Sequence, residues 1–262
     1  MSSQSDLLKN TFSRVITDYE AARPTYPIRL KERIELYSGI QPGAVLLEVG
    51  AGTGQATGLF LEGGYSLDLL EVSGEQAQFL RDKYRGYPGI AVKQGYFEEY
   101  ETEKQYDLIY SATAFHWVRS DIGYPKAWNM LKQGGTLAVF WHMSSVTRHV
   151  GGVFDGLNAI RRKYMPDADE GFDEAGVERS RQKRIDQIRS GGCFGMPEMH
   201  EFTWTDIYDA ERYATLINTY SDTQLLDEAV RMKYLDEIRR HILNNGGRVE
   251  MPQRVMLYLV RK

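Results

Sequence analysis

The sequence predicts an α/β fold: a doubly wound, mostly parallel sheet with a C-terminal antiparallel strand and a helical cap insertion. Three observations lead there. Between Ala44 and Trp141, short β-branched or leucine-rich runs alternate with helical patterns, as in a parallel sheet covered by helices. The nearly continuous apolar run Ala44 to Val49 gives way at once to Gly50-Ala51-Gly52-Thr53-Gly54, as where a buried parallel strand enters a tight turn. After Trp141 the texture shifts to mixed charge with few aliphatics, which suits elements mounted outside such a sheet.

In chain order, Ile28 to Ser38 carries Leu30, Ile34 and Tyr37 at helical spacing and is expected to pack on the sheet ahead of strand one. A helix from about Gln55 to Glu62 stops at Gly63-Gly64. Ser66 to Leu70 is strand two, ending at Glu71, and Ser73-Gly74-Glu75-Gln76 has capping-box spacing for a helix with Ala77, Leu80 and Tyr84 on one face. Ile90 to Lys93 is strand three and Tyr106 to Ser111 strand four. The pattern around Ala127, Trp128 and Leu131 is a helix closed by Gly134-Gly135, and Thr136 to Trp141 is strand five.

The segment from His142 to Pro197 is expected to form a lid. Glu201 to Asp206 then returns as a strand, Asp227 to Leu243 is a helix with Leu235, Ile238 and Ile242 inward, and Arg254 to Val260 is a final strand. The organisation expected is one domain over 1–262: a cofactor-binding core over 1–141, a cap over 142–197, and completion of the sheet over 198–262.

Composition narrows the classes. The 262 residues are 42% hydrophobic, 26% charged and 12% aromatic, which excludes disorder, collagen and coiled coil. A formal charge of -4 does not match the basic stripe of a nucleic-acid-binding surface. The single cysteine, Cys193, excludes an intrachain disulfide, a multi-cysteine zinc site or a redox pair, and with no apolar stretch of membrane-spanning length the expectation is a cytoplasmic protein without a membrane partner. No metal is expected: Asp167-Ala168-Asp169-Glu170 reads as a solvated loop. A monomer or homodimer is expected.

Gly50, Gly52 and Gly54 let the backbone turn sharply and approach a ligand with no Cβ in the way. Their G-x-G-x-G spacing, with Gln55 next, departs from the dinucleotide fingerprint. Glu71, 21 residues after Gly50, can accept both hydroxyls of a ribose, as any adenosine cofactor requires. Glu48, inside an apolar strand, is expensive to bury without a donor or cation, which favours a site over packing.

Leu46 to Gly54, then Glu71, then Tyr106-Asp107-Leu108-Ile109, then Leu131-Lys132-Gln133-Gly134-Gly135 resemble the ordered motifs of class I S-adenosylmethionine-dependent methyltransferases, which share a Rossmann-like sheet. The resemblance spans about Asp18 to Trp141. Tyr19-Glu20-Ala21-Ala22-Arg23-Pro24-Thr25-Tyr26-Pro27 and Ser111-Ala112-Thr113-Ala114-Phe115-His116-Trp117 are similar to the small-molecule branch that includes trans-aconitate methyltransferase-like proteins. The resemblance implies S-adenosylmethionine as cofactor, the glycine turn against its methionine part, Glu71 on the ribose, and Val72, Tyr96 and Phe97 about the adenine. Tyr96 stands where many members carry an Asp, leaving the adenine amino group to a backbone group or to Glu98. His116-Trp117 either plugs the core or lines the cofactor mouth, where Thr113 is also expected, and Tyr19 with Arg23 is either an exposed arm or a clamp on the methionine carboxylate.

Methyl transfer needs acceptor and donor held at near-attack distance in a dry pocket, and a general base only when the acceptor is not already ionised. His116 and His142 are the candidate bases. A small carboxylic acid would draw its cation from Arg148, His149, Arg161 or Arg162, whereas an apolar or phenolic acceptor would lie against Phe194, Phe202, Trp204, Tyr208, Tyr213 and Tyr220. A nicotinamide-dependent oxidoreductase and a non-catalytic adenosine-binding protein remain as alternatives.

Overall fold

A computed structural model describes residues 16, 20, 22–143, 151–166 and 174–262. Tyr19, Arg148, His149 and the run Asp167 to Glu170 lie outside the described residues.

Seven strands form one sheet in the order β3-β2-β1-β4-β5-β7-β6. They are β1 (Val45–Val49), β2 (Ser66–Glu71), β3 (Ile90–Gln94), β4 (Tyr106–Ala112), β5 (Leu131–His142), β6 (Glu198–Asp209) and β7 (Arg248–Arg261). The first five pair in parallel, while β7 is antiparallel to both β5 and β6. The parallel order reverses at β1, whose neighbours are β2 and β4, so the ends of β1 and β4 open into a crevice. Ligands of open α/β sheets bind in such crevices.

The helices are α1 (Ile28–Ser38), α2 (Thr57–Phe60), α3 (Gly74–Lys83), α4 (Ser120–Met130), α5 (Val153–Tyr164), α6 (Glu174–Ser190), α7 (Ala210–Asn218), α8 (Ser221–Gln224) and α9 (Glu228–Asn244). Side chains alternate across each strand, which splits the core in two. One face gathers Leu46, Leu108, Tyr110, Phe140 and Leu257 against Leu30 and Ile34 of α1 and Leu80 of α3. The other gathers Leu47, Ile109, Val139, Trp141 and Tyr258 against Tyr124 and Ala127 of α4 and Ile185 and Ile188 of α6.

Two local expectations need correction. The Gln55–Glu62 helix is only the single turn α2, followed by a 3-10 turn over Leu61–Gly63. Gly134-Gly135 does not close α4: that helix ends at Met130, and the glycines sit where β5 shifts register between its pairings Tyr106 with Leu131 and Leu108 with Thr136.

The described parts of the 142–197 segment pack in two different places. Leu157 and Met165, in and just after α5, join a third hydrophobic cluster with α7, α9 and the far ends of β6 and β7, through Tyr208, Tyr213, Leu216, Leu235, Ile238, Val249 and Met251. In contrast, α6 lies on the sheet. Its apolar residues are sparse, but Val177, Ile185 and Ile188 fall at helical spacing and are buried, and the Arg184 guanidinium covers the Trp141 ring at 4.4 Å. That third cluster, termed the cap from here on, draws most of its residues from the 198–262 region. No described helix is long and apolar enough to cross a membrane.

Candidate active site

The C-terminal end of β1 enters a turn in which Gly50 and Gly52 have φ of +73° and +60°. A Cβ on Gly50 would lie 2.4 Å from Cβ of Ala114, so the residue must be glycine for two reasons, handedness and room. Gly52 faces open space. Gly54, in contrast, is packed beneath the Tyr84 hydroxyl, to which a Cβ would approach within 2.6 Å, and is not part of the cavity wall.

Glu71, 5% exposed at the end of β2, bridges the glycine turn to the next helix. The Gly52 amide donates to its Oε2 at 2.8 Å and the Ser73 amide to its Oε1 at 2.9 Å. The Ser73 side chain caps α3 by accepting from the Gln76 amide. One carboxylate thus orients two loops and keeps further lone pairs on each oxygen for incoming hydroxyls.

Glu48, 1% exposed, receives the Thr57 hydroxyl at 2.5 Å and the Tyr110 hydroxyl at 2.9 Å on Oε2. Burial pushes its carboxyl up to about 7 despite those two donors. The donors foreseen as necessary are therefore hydroxyls, and near neutrality the group is poised between its charged and neutral forms.

These residues form one end of a cavity of about 550 Å³. Its wall includes Arg23, Glu48, Gly50, Gly52, Glu71, Val72, Tyr96, Phe97, Thr113 and His142, so most of the expected site residues come together. Phe97 is buried against Phe115, whereas Tyr96 is exposed at the rim. Glu98 also lines the cavity, with Oε1 already accepting from the Arg119 amide at 2.9 Å. Thr113 is the one described non-glycine residue with positive φ, +54°, and its Oγ1 lies 3.2 Å from the Tyr26 hydroxyl while accepting from the His142 amide at 3.2 Å. That strained residue ties the Arg23–Tyr26 arm to the end of β5.

His116 is not in the cavity wall. Its Nδ1 accepts from Nε1 of Trp141 at 3.1 Å, and Arg184 and Lys183 are its charged neighbours. Its partner in the motif, Trp117, is 82% exposed at the cavity rim. Of the expected acceptor cations, Arg161 is held by Asp222 at 3.0 Å and neither it nor Arg162 reaches the cavity wall. Of the aromatic run only Tyr220 does: Phe194 packs on Trp128, Tyr208 and Tyr213 pack on each other in the cap, and Phe202 and Trp204 flank the sheet core.

Beside Tyr220 of the aromatic run and Arg23, the far end of the cavity is built by Leu216, Met251 and Gln253, which the sequence reading did not single out as a site. Leu216 and Tyr220 come from α7 and the turn after it, and Met251 and Gln253 from β7. Arg23 stands there, its guanidinium donating to the Thr219 carbonyl at 3.5 Å and lying 4.8 Å from the Tyr220 ring centre. The available signal was the alternation Val249, Met251, Gln253, Val255, in which one polar residue interrupts an inward apolar row.

The sequence pattern of a family described as a methyltransferase domain matches residues 46–135, which include the glycine turn and Glu71. The matched segment carries a methyltransferase domain, and the chain as a whole is similar to class I S-adenosylmethionine-dependent methyltransferases. S-adenosylmethionine is the cofactor that such a domain implies. The methyltransferase-like protein C25B8.10 of Schizosaccharomyces pombe is 27% identical over 269 residues, covering 100% of this chain and 98% of its own. Among solved structures, one described as a type II methyltransferase of Anaeromyxobacter dehalogenans superposes with a TM-score of 0.60 at 19% identity, covering 91% of this chain and 96% of its own. Phosphoethanolamine N-methyltransferase 2 of Haemonchus contortus, solved with S-adenosylhomocysteine, superposes at 0.55 and 13% identity over 100% of this chain and 60% of its own. These likenesses carry the fold. The glycine turn, the anchored Glu71 and the wall formed by Val72, Tyr96 and Phe97 suit the cofactor's methionine, ribose and adenine parts in turn.

Proposed function

We propose that this methyltransferase acts on a small-molecule acceptor, and that the acceptor is a carboxylic acid. The observation that carries the proposal is the polarity of the cavity. Three glutamates stand at the cofactor end, whereas Arg23 is the one arginine or lysine in the described wall and stands at the cap end. A guanidinium grips a carboxylate with two parallel hydrogen bonds, which would fix one carboxylate oxygen toward the cofactor. The bound cofactor supplies a methyl group already activated on a sulfonium.

The base requirement agrees. Burial, reinforced by the charge of Arg23, pushes the His142 imidazole down to about 4, so His142 is neutral at physiological pH and a weak proton acceptor. A carboxylate needs no base, because it arrives ionised. Arg23 would then serve the acceptor rather than the methionine carboxylate. The single cysteine is consistent with a reducing, cytoplasmic setting.

The test is transfer of a labelled methyl group from S-adenosylmethionine into a pool of small carboxylic acids, with the products treated with mild alkali. A methyl ester releases its label as methanol. Label that survives alkali would mark an ether or amine product and give the acceptor to the aromatic wall instead.

A further inference from the structure

We infer that Gln253, with His142 diagonal to it, reads a second polar group on the acceptor beside the one held by Arg23, so that the acceptor is a short carboxylic acid bearing a hydroxyl or carboxamide. The inference rests on the carboxylic acid proposed above and narrows it.

Gln253 is 2% exposed on β7 and belongs to an inward row whose other members, Val249, Met251 and Val255, are apolar and equally buried. Among the described residues, neither its Oε1 nor its Nε2 has a hydrogen-bond partner. An orphaned polar atom in such a place destabilises the fold, and buried side-chain amides are nearly always paired. Packing does not explain it, since a leucine or methionine would continue the row.

His142 shows the same pattern. On β5 it pairs with Val255, which places its side chain on the same face of the sheet as Gln253, one step along. Its ring is fixed between Tyr26 and Trp204, with centroids 5.1 and 5.3 Å away, and Trp204 is the cross-strand partner of Gln253. The Nε2 of His142 is buried and likewise has no partner among the described residues. Both side chains line the cavity.

The chemistry of the ligand follows from what these atoms lack. A carboxamide offers one acceptor and two donor hydrogens, and a neutral imidazole one of each. A bare carboxylate only accepts, so it would leave the glutamine oxygen unmatched, and a cation would be repelled by Arg23. A hydroxyl or a carboxamide both donates and accepts. Leu216, Tyr220, Tyr26 and Met251 leave an apolar and aromatic space between these groups, which suits a short carbon skeleton.

The test compares wild type with Gln253→Leu and Gln253→Met, each saturated with S-adenosylhomocysteine and titrated calorimetrically with 2-hydroxybutyrate, succinamate and butyrate. Wild type is expected to bind the first two about 10-fold or more tightly than butyrate. Both variants should bind all three alike, keep S-adenosylhomocysteine affinity within about two-fold, and melt at a higher temperature because the orphaned amide is gone. No preference in wild type, no binding of any probe at millimolar concentration, or a preference that survives both substitutions overturns the inference. So does a lower melting temperature in both variants, which would assign Gln253 to the fold. Failure of wild type to bind S-adenosylhomocysteine is a separate result, and it would remove the methyl-transfer reading itself.

Discussion

The Gly52 amide donates to Oε2 of Glu71 over 2.8 Å, so the acid suited to a ribose also holds the turn suited to the methionine part of the cofactor. Glu71→Ala therefore loses charged contacts worth roughly 1.5–3 kcal/mol, and S-adenosylhomocysteine affinity should fall about 10- to 150-fold. Calorimetry checks this, with NAD expected to give no binding heat. Glu71→Gln should sit between, since its amide can still accept one of the two backbone hydrogens.

The contact between Gly50 and Ala114 sets a second expectation. Gly50→Ala meets a left-handed backbone and a Cβ 2.4 Å away, and should lose about 2–4 kcal/mol in denaturant unfolding. Adding Ala114→Gly removes the clash but not the backbone strain. The double variant should therefore be more stable than Gly50→Ala alone.

Glu48 and His142 make opposite contributions to stability against pH. The folded carboxyl of Glu48 is raised to about 7, so its contribution is present below its unfolded value of about 4.5 and is lost as pH rises through 7, a change of about 3 kcal/mol. His142 is depressed to about 4, so its contribution is present above about 6.5 and is lost as pH falls through 4, again about 3 kcal/mol. The two slopes oppose each other between about pH 4.5 and 6.5. Glu48→Gln should expose the acid sensitivity of His142, and His142→Phe the alkaline decline from Glu48, in urea melts across that window.

The hydrogen bond from Trp141 to His116 predicts a quiet outcome for a residue that its motif had made a candidate base. His116→Ala should leave methyl transfer within about three-fold and cost about 1 kcal/mol of stability through the orphaned indole N–H. With both substrates saturating, the rate should be nearly flat from about pH 6 to 8, because His142 has already lost its proton there. A climb through about pH 6.5 would restore a histidine base.

The cofactor half of the fold was legible in the sequence because its signals are local. The bounds of α1, the glycine turn, Glu71 at the end of β2 and the Ser73 cap each depend on residues a few positions apart, and all stand where the patterns put them. The acceptor half was not, for a physical reason. Gln253, Tyr220 and Arg23 meet only through pairing of β7 with β6 and packing of α7 above it, and no short window of sequence carries that pairing. The position of α6 was missed similarly: Arg184 looks like solvated charge until its guanidinium is seen lying on Trp141.

The place of β7 has a consequence for how the molecule acquires its shape. It follows every other strand in the chain, yet it sits inside the sheet, with Leu257 and Leu259 completing one core, Tyr258 the other, and Met251 the cap. Neither β5 nor β6 can satisfy its inner edge until β7 arrives between them. The cofactor turn can form early from neighbours in sequence, whereas the acceptor wall depends on one of the longest-range pairings in the chain and must form late. Substitutions along β7 should accordingly slow the final assembly step more than those in β1 or β2, and the two halves should unfold together, because the same strand serves both.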